Sequence, residues 1–169
     1  MNYFELFEIP ETLHPDAAVI KNKFYELSRK YHPDFYIQSS IGEQAEILEK
    51  AAQLNKAYKM FQNKDALIKY VLIEKGLLKE EEKYELPASF LMEVMELNEE
   101  LMDAKMEDDQ EKIEKVRAGI EALQTIIYQP VKSIVENYTP GKSSTEELLQ
   151  VKQYYFQKKY LDRILAAMI

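Results

Sequence analysis

The chain has only two histidines, His14 and His32, and each begins a His-Pro-Asp tripeptide. The tripeptide brings a titratable ring and a carboxylate to either side of a proline that fixes the backbone. The residue before a proline is displaced from helical conformation, and proline has no N–H to donate inside a helix. Each tripeptide must therefore lie at a helix boundary, and the kind of boundary decides how much of the tripeptide local structure explains.

The first copy, His14-Pro15-Asp16, precedes a predicted helix. Asp16 is the predicted N-cap, because its carboxylate can accept from the free N–H groups of the first turn and lies favourably against the helix dipole. This interpretation accounts for Pro15 and Asp16, and it requires no function of His14.

The second copy stands at the other end of the same helix. Pro33 predicts that the helix ends near Tyr31, so Asp34 lies where the dipole mildly disfavours a negative charge. No capping role is predicted for Asp34, and a local rule broken without local benefit indicates function. We therefore predict a site at His32-Pro33-Asp34.

Two amphipathic helices are predicted to hold this second tripeptide between them. The first runs from about Asp16 to Tyr31 and the second starts near Ser40–Ile41, each with apolar residues at helical spacing. The first also carries three cations on or beside its exposed face: Lys23, Arg29 and Lys30. The segment HPDFYIQSS between the helices is predicted to be a loop, too short for another element, which lets the helices pack antiparallel. A shorter apolar segment follows and is predicted to end at Gly76 as a C-cap.

The second half of the chain is predicted to form three further helices. A charge run and Pro87 indicate a boundary, and an apolar stripe follows from Phe90. The next stripe continues past Pro130, which we interpret as a kink. The segment NYTPGKSSTEE predicts a stop and a newly capped helix. Long helices joined by short turns favour an antiparallel three-helix bundle.

Composition narrows the function classes. The net charge is −8, with 30 acids against 22 bases, so a nucleic-acid partner is not expected. Residues 1–77 are nearly neutral, whereas the remaining 92 residues hold 19 acids and 12 bases. Cysteine is absent, which excludes disulfides and thiolate metal sites. No apolar run reaches membrane-span length and the N-terminus has no leader pattern, so we expect a cytoplasmic protein that does not bind membranes.

Four landmarks in order resemble the J-domain, the co-chaperone module of DnaK-like chaperones. NYFELFEIP resembles its opening, YHPD its signature loop, LNKAYKMF its second long helix and KYVL its short last helix. The resemblance implies that His32, Pro33 and Asp34 trigger ATP hydrolysis in the chaperone and that Lys23, Arg29 and Lys30 contact it. The residue after Asp34 is Phe35, where many J-domains have lysine.

A J-domain followed by a small acidic bundle, without Gly/Phe-rich or cysteine-rich segments, is similar to the HscB type of iron–sulfur cluster assembly. ASFLMEVMELNEEL at 88–101 resembles that family's scaffold-contacting helix. The resemblance implies a set of residues that bind the iron–sulfur scaffold protein: Leu91, Met92, Met95, Glu96, Glu99, Asp103 and Phe156. From helical spacing alone, the second side of this helix, with its methionines and acids, is as compatible with bundle core as with an exposed binding patch.

The predicted fold is therefore all-α. It comprises an N-terminal J-domain helical hairpin with short flanking helices at 1–76, a linker at 77–87 and a C-terminal three-helix bundle at 88–169. The predicted function is that of a co-chaperone rather than an enzyme, with a DnaK/HscA-like ATPase and a scaffold protein as partners and no cofactor or metal. Two alternatives stay open: a J-domain protein that serves another client, and a helical adaptor unrelated to chaperones.

Overall fold

The computed structural model describes residues Met1–Met168, and every regular element in that range is helical, with no strand. This confirms the predicted all-α class. The α-helices are α1 (Tyr3–Leu6), α2 (Ala17–Lys30), α3 (Ile41–Gln62), α4 (Lys64–Glu74), α5 (Ala88–Met106), α6 (Gln110–Tyr128), α7 (Lys132–Asn137) and α8 (Thr145–Ala167). Short 3₁₀ turns occupy Pro33–Tyr36 and Gln129–Val131.

The chain divides into two compact units. The first comprises Met1–Val71 together with Asn137–Lys142, and the second comprises Leu72–Glu136 together with the chain from Ser143 onward. The domain limits at residues 76 and 88 stay predictions. The first unit is thus built from two separate stretches of the sequence.

The predicted helix starts of the first unit are confirmed by their caps. The Asp16 carboxylate accepts from the N–H groups of Ala18 and Val19, at 2.8 and 3.4 Å, and begins α2. The Ser40 hydroxyl accepts from the N–H of Glu43 and begins α3. Each bond satisfies a donor that the first turn of a helix leaves free.

Helices α2 and α3 form the predicted antiparallel hairpin. Phe24 of α2 meets Tyr58 of α3 edge to face, with ring centres 4.1 Å apart. Tyr31, which directly follows α2, lies under the Nζ of Lys50, which comes before Tyr58 in α3. The reversed order of these pairs gives the antiparallel direction. Between them Leu27 and Leu54 are 2% and 1% exposed, so the apolar stripes read from the sequence face each other.

Helix α4 ends where the sequence predicts. Gly76 adopts φ +72°, its N–H donates to the Ile73 carbonyl, and the N–H of Leu77 donates to the Leu72 carbonyl, both at 2.9 Å. This pair of bonds is the Schellman arrangement, which needs a residue in the left-handed region at the position of Gly76. The predicted C-cap is confirmed.

The connection between α2 and α3 differs from its prediction as a featureless loop. Pro33–Tyr36 forms a 3₁₀ turn whose N-cap is His32. Proline is well suited to the first position of such a turn, because its fixed φ is already helical and its missing N–H would have had no partner there. The prediction that the segment was too short for an element was wrong for this reason.

The second unit is a bundle of α5, α6 and α8. Gln124 of α6 hydrogen-bonds Asp162 of α8 at 2.7 Å, and Tyr128 of α6 lies beside Tyr154 of α8, so these two helices run antiparallel. Its core contains the following buried residues: Phe90, Val94, Leu101, Val116, Ile120, Leu123 and Leu161. The stripe predicted from Phe90 onward is therefore core.

Pro130 interrupts its helix more than predicted. Helix α6 ends at Tyr128, the chain passes through the 3₁₀ turn Gln129–Val131, and α7 starts at Lys132. Proline removes one helical hydrogen bond and its ring clashes with the carbonyl four residues earlier. The single kinked helix of the sequence analysis is thus two α-helices, although Val131 and Ile134 remain buried.

The turn after α7 packs within the first unit. Tyr138 is 7% exposed, and its hydroxyl donates to a carboxylate oxygen of Glu11 at 2.5 Å. Burial first, and this hydrogen bond second, raise the pKa of Tyr138 above its ordinary value. The tyrosine therefore lies beside the segment that contains the first His-Pro-Asp tripeptide.

Within Met1–Met168, no helix combines the length and the apolar character that crossing a membrane requires.

Candidate functional site

The second tripeptide forms an ordered, exposed turn. Nδ1 of His32 accepts from the backbone N–H of Asp34 at 3.2 Å and lies 3.5 Å from the Asp34 carboxylate. The N–H of Phe35 donates to the His32 carbonyl at 3.1 Å. Because Nδ1 is the acceptor, the neutral ring carries its proton on Nε2, which is the nitrogen left for a partner. The Asp34 side chain is 80% exposed and presents its carboxylate to solvent.

The turn is fastened to both flanking helices. The Tyr36 hydroxyl donates to the carbonyl of Lys30 at 3.0 Å, near the end of α2. The side-chain amide of Gln44 on α3 donates to the carbonyls of Ile37 and Ser39, each at 3.0 Å. These bonds satisfy groups that α2 and the turn would otherwise leave free, and they hold the tripeptide in one conformation.

The first tripeptide has a different environment. Asp16 is an N-cap, as described above, and the N–H of His14 donates to the Thr12 hydroxyl at 3.0 Å. The Asp16 carboxylate accepts hydrogen bonds from the first turn of α2. Asp34 lies instead inside the 3₁₀ turn Pro33–Tyr36 and caps no α-helix. Only the second tripeptide thus leaves its carboxylate outside an α-helix cap.

The three cations predicted to accompany the tripeptide lie in unequal positions. Arg29 lines a shallow cavity with His32 and Asp34. The Nζ of Lys30 lies 5.2 Å from the ring centre of Tyr31. Lys23 is 3.8 Å from carboxylate oxygens of both Glu8 and Glu26. The structure thus brings Arg29 to the tripeptide, whereas Lys23 lies near Glu26 of α2 and Glu8 of the segment before α2.

Sequence reasoning missed other residues of this cavity. Tyr25, Ser28 and Phe35 complete its lining. The rings of Tyr25 and Phe35 are 51% and 75% exposed and make part of the cavity lining apolar. Tyr25 is four residues before Arg29, hence on one face of α2 with it, and this spacing could have identified the tyrosine.

The predicted patch of α5 is exposed on one side of that helix. Met92 and Met95 are 66% and 59% exposed, and Met102 and Met106 extend the same methionine-rich side. The predicted acids are exposed beside them: Glu96, Glu99 and Asp103. These methionines are surface rather than core, which removes one of the alternatives that helical spacing left open.

Leu91 and Phe156 occupy a different position from the exposed methionines. Both are half-buried and line one groove of the second unit, which also contains residues 81–86 of the segment before α5. The ring of Phe156 stacks on that of Tyr84, with centroids 4.6 Å apart and planes 2° from parallel. We call residues 81–86 the strap, because they lie along α8 and cover one face of Phe156.

An ion pair fastens the strap to α8. The Nζ of Lys152 lies 2.7 Å from a carboxylate oxygen of Glu82, with side chains 13% and 22% exposed. The hydrogen bond from Lys152 lowers the pKa of the Glu82 carboxyl. The same Nζ lies 5.7 Å from the centre of the Tyr84 ring, a cation–π distance. The strap, which belongs to the segment predicted as linker, therefore has a defined position on the bundle.

No group of three or more His, Asp or Glu side chains suited to hold a metal ion occurs in the described part of the chain. Both surfaces offer charged groups, hydrogen-bonding groups and apolar area to a partner.

Comparison with known proteins finds a family model and several relatives that this chain resembles. The model of the HSCB C-terminal oligomerisation domain matches residues 86–168. The co-chaperone protein HscB homologue of Vibrio parahaemolyticus is 38% identical over 104 residues, which are 61% of this chain and 61% of that protein. The HscB homologue of Vibrio campbellii is 36% identical over 112 residues, 66% of each chain.

Solved structures give the same fold. The crystal structure of human co-chaperone protein HscB superposes with a TM-score of 0.79 at 24% identity, covering 99% of this chain and 80% of that one. The chaperone HscB from Vibrio cholerae gives a TM-score of 0.65 at 24% identity, with all of both chains covered. These matches show a shared all-helical fold.

The chain is thus similar to HscB co-chaperone proteins, through a family model over residues 86–168 and through sequence over 61–66% of its length. The sequence alignments cover less than two thirds of the length of the Vibrio relatives, 61% and 66%.

Proposed function

We propose that this protein is a J-domain co-chaperone that delivers an iron–sulfur cluster scaffold protein to a DnaK/HscA-like chaperone and stimulates the ATPase of that chaperone. The proposal is supported mainly by the second tripeptide. It forms an ordered turn, and the Asp34 side chain, which is 80% exposed, caps no α-helix. A cytoplasmic location belongs to the same proposal.

The first unit would contact the chaperone through this turn. Asp34 offers an acceptor, His32 offers an Nε2 donor, and Pro33 limits the backbone between them. Arg29, at the same cavity, adds a positive charge that favours an acidic surface on the partner. The protein contributes no reacting group of its own, so its effect on ATP hydrolysis is that of a bound activator.

The second unit would hold the scaffold protein. Exposed methionines such as Met92 and Met95 provide adaptable apolar area, which is typical of protein-binding surfaces. Glu96, Glu99 and Asp103 beside them provide a charged rim that orients a basic partner. Binding both proteins at once raises the effective concentration of the scaffold at the chaperone without any new contact.

The experiment is a single-turnover ATPase assay of an HscA-type chaperone from the same source, with and without scaffold protein. Wild-type protein is compared with His32→Gln and with His14→Gln, which is the matched control because it changes the same residue in the same tripeptide. We expect stimulation that is lost with His32→Gln, retained with His14→Gln and increased by scaffold.

If the protein stimulates the ATPase equally with and without scaffold protein, the J-domain function would stand but the scaffold would not be the client. That result would favour a J-domain protein that serves another client. Absence of any stimulation by folded wild-type protein would refute the proposal and leave a helical adaptor.

A further inference from the structure

The groove between the strap and α8 has features that the α5 patch does not have. Its apolar lining includes Leu91, Phe156 and Tyr160, and its edge on α8 carries Lys159 and Arg163. Both cations are exposed and lie four residues apart, hence on one face of α8. A cationic edge on this groove was not part of the sequence prediction, which placed only acids around the apolar residues.

No acid in the described part of the chain holds either cation of the α8 edge. Among the described residues neither Lys159 nor Arg163 forms an ion pair within 4 Å, although Glu81 and Glu85 line the same groove. Lys159 lies 6.0 Å from the centre of the Tyr155 ring, at the outer limit of a cation–π contact. The neighbouring lysine of α8, Lys152, is by contrast fully engaged with Glu82.

The groove is a formed feature rather than a gap left by a mobile segment. Stacking on Tyr84 and an edge contact to Tyr155 at 5.1 Å hold the Phe156 ring in place. The strap is fixed in turn by Lys152 and Glu82. A ring that is already held loses little rotamer freedom when a partner covers it, which favours binding.

Charge changes sign across this surface of the second unit. The exposed side of α5 carries acids such as Glu96 and Glu99, whereas the α8 edge of the groove carries Lys159 and Arg163. Leu91 lies one helical turn before Met95, so apolar residues lead from one charged side toward the other. A partner that covers both sides must itself present both signs of charge.

We propose that the groove binds a carboxylate-bearing apolar segment of the scaffold protein, with its carboxylates received by Lys159 and Arg163. This inference rests on the proposed function. It extends the acidic, methionine-rich patch into a bipolar surface: basic groups of the partner meet α5, its apolar side chains cover Leu91 and Phe156, and its acids meet α8. Charge complementarity at a rim acts mainly on the association rate and on salt dependence.

The test compares two charge-reversed variants of the full chain in isothermal titration with purified scaffold protein from the same source. The groove variant is Lys159→Glu/Arg163→Glu. The matched control is Lys115→Glu/Lys132→Glu, which makes the same charge change at exposed lysines outside the groove. Circular dichroism melts establish that both variants fold.

We expect the groove variant to bind scaffold roughly five- to tenfold more weakly than the control at about 0.1 M salt, since each lost surface attraction is modest and reversal adds repulsion. The difference should shrink at about 1 M salt, where screening is effective within roughly 3 Å. The control should bind within about twofold of wild type, as expected for charges outside the contact.

Equal affinities of groove variant and control would overturn the inference, as would tighter binding by the groove variant, which would mean that the groove receives a basic segment. Failure of wild-type protein to bind scaffold would overturn the proposed function itself. The wild-type titration therefore separates the two failures.

Discussion

The hydrogen bond from Tyr138 to Glu11 gives a sharply testable statement about the first unit. Tyr138→Phe removes one hydroxyl and keeps the ring, which is 7% exposed. A hydrogen bond to a charged acceptor contributes about 1.5–3 kcal/mol. Glu11 is only half-buried, so water can reach the released carboxylate, and the lower end of that range applies. We expect the free energy of unfolding to fall by about 1.5 kcal/mol.

The assay is urea unfolding of the full chain followed by far-ultraviolet circular dichroism. With a slope of about 2 kcal/mol/M, the loss lowers the midpoint of the affected transition by about 0.7 M. Glu11→Gln keeps a neutral acceptor and should lose about half as much. Because Tyr138→Phe already removes the bond that the two residues share, Glu11→Gln should cost less in the Tyr138→Phe background than in wild type, so the two losses should not be additive. Tyr25→Phe, at a half-exposed ring, is the control and should leave the midpoint unchanged.

The dependence of stability on alkaline pH gives a second test of the same hydrogen bond. Burial and the bond to Glu11 raise the pKa of Tyr138, so its neutral form is favoured in the folded state. The resulting stability is complete below the unfolded-state value of about 10 and is lost as pH rises toward the folded-state pKa. The gap between wild type and Tyr138→Phe should therefore narrow above about pH 10. A Tyr138→Phe midpoint equal to wild type at pH 7, or fully additive losses in the double variant, would refute the reasoning.

Two further predictions concern the strap and the first tripeptide. Lys152→Met should lower the free energy of unfolding by about 1 kcal/mol at pH 7, because it removes the partner of Glu82. That contribution is complete above the unfolded-state pKa of about 4.3 and is lost as pH falls through the lowered folded-state pKa of Glu82. Thermal unfolding at pH 7 and at about pH 2 should therefore show a smaller loss at the acid value, and an equal loss at both would contradict the ion pair as its source. Asp16→Ala should cost about 1 kcal/mol by removing the cap of α2, yet leave ATPase stimulation unchanged. A loss of stimulation in that folded variant would give the first tripeptide a function that its cap does not explain.

The parts of the fold that the sequence predicted are those set by local physical chemistry. The start of α2 follows from the side chain of Asp16, the end of α4 from the left-handed conformation of Gly76, and the apolar stripes from helical periodicity. The exposure of Met92 could not be decided in this way, because periodicity gives a side of the helix and not what covers it.

The features that sequence reasoning missed are either too short to leave a periodic pattern or depend on contacts between residues far apart in the sequence. The 3₁₀ turn at Pro33 is a single turn, too short to leave a periodic pattern. Pro130 gave a break whose severity depends on how the flanking turns pack. The stacking of Tyr84 on Phe156 joins residues 72 positions apart, and no local rule pairs them. Sequence reasoning thus singled out the tripeptide and the exposed side of α5 as candidate sites, but it did not predict the groove formed by the strap and α8.

The divided sequence of the first unit has a consequence for the order of folding during synthesis. Its main stretch ends at Val71, but the stretch that supplies Tyr138 begins only at Asn137. At 5–20 residues per second, a ribosome needs roughly 3 to 13 s to make the intervening chain. During that interval Tyr138, which lines one cavity with Ile9 and Ile20 in the finished protein, has not yet been made. Synthesis rate across the second unit therefore sets how long the nascent first unit stays incomplete.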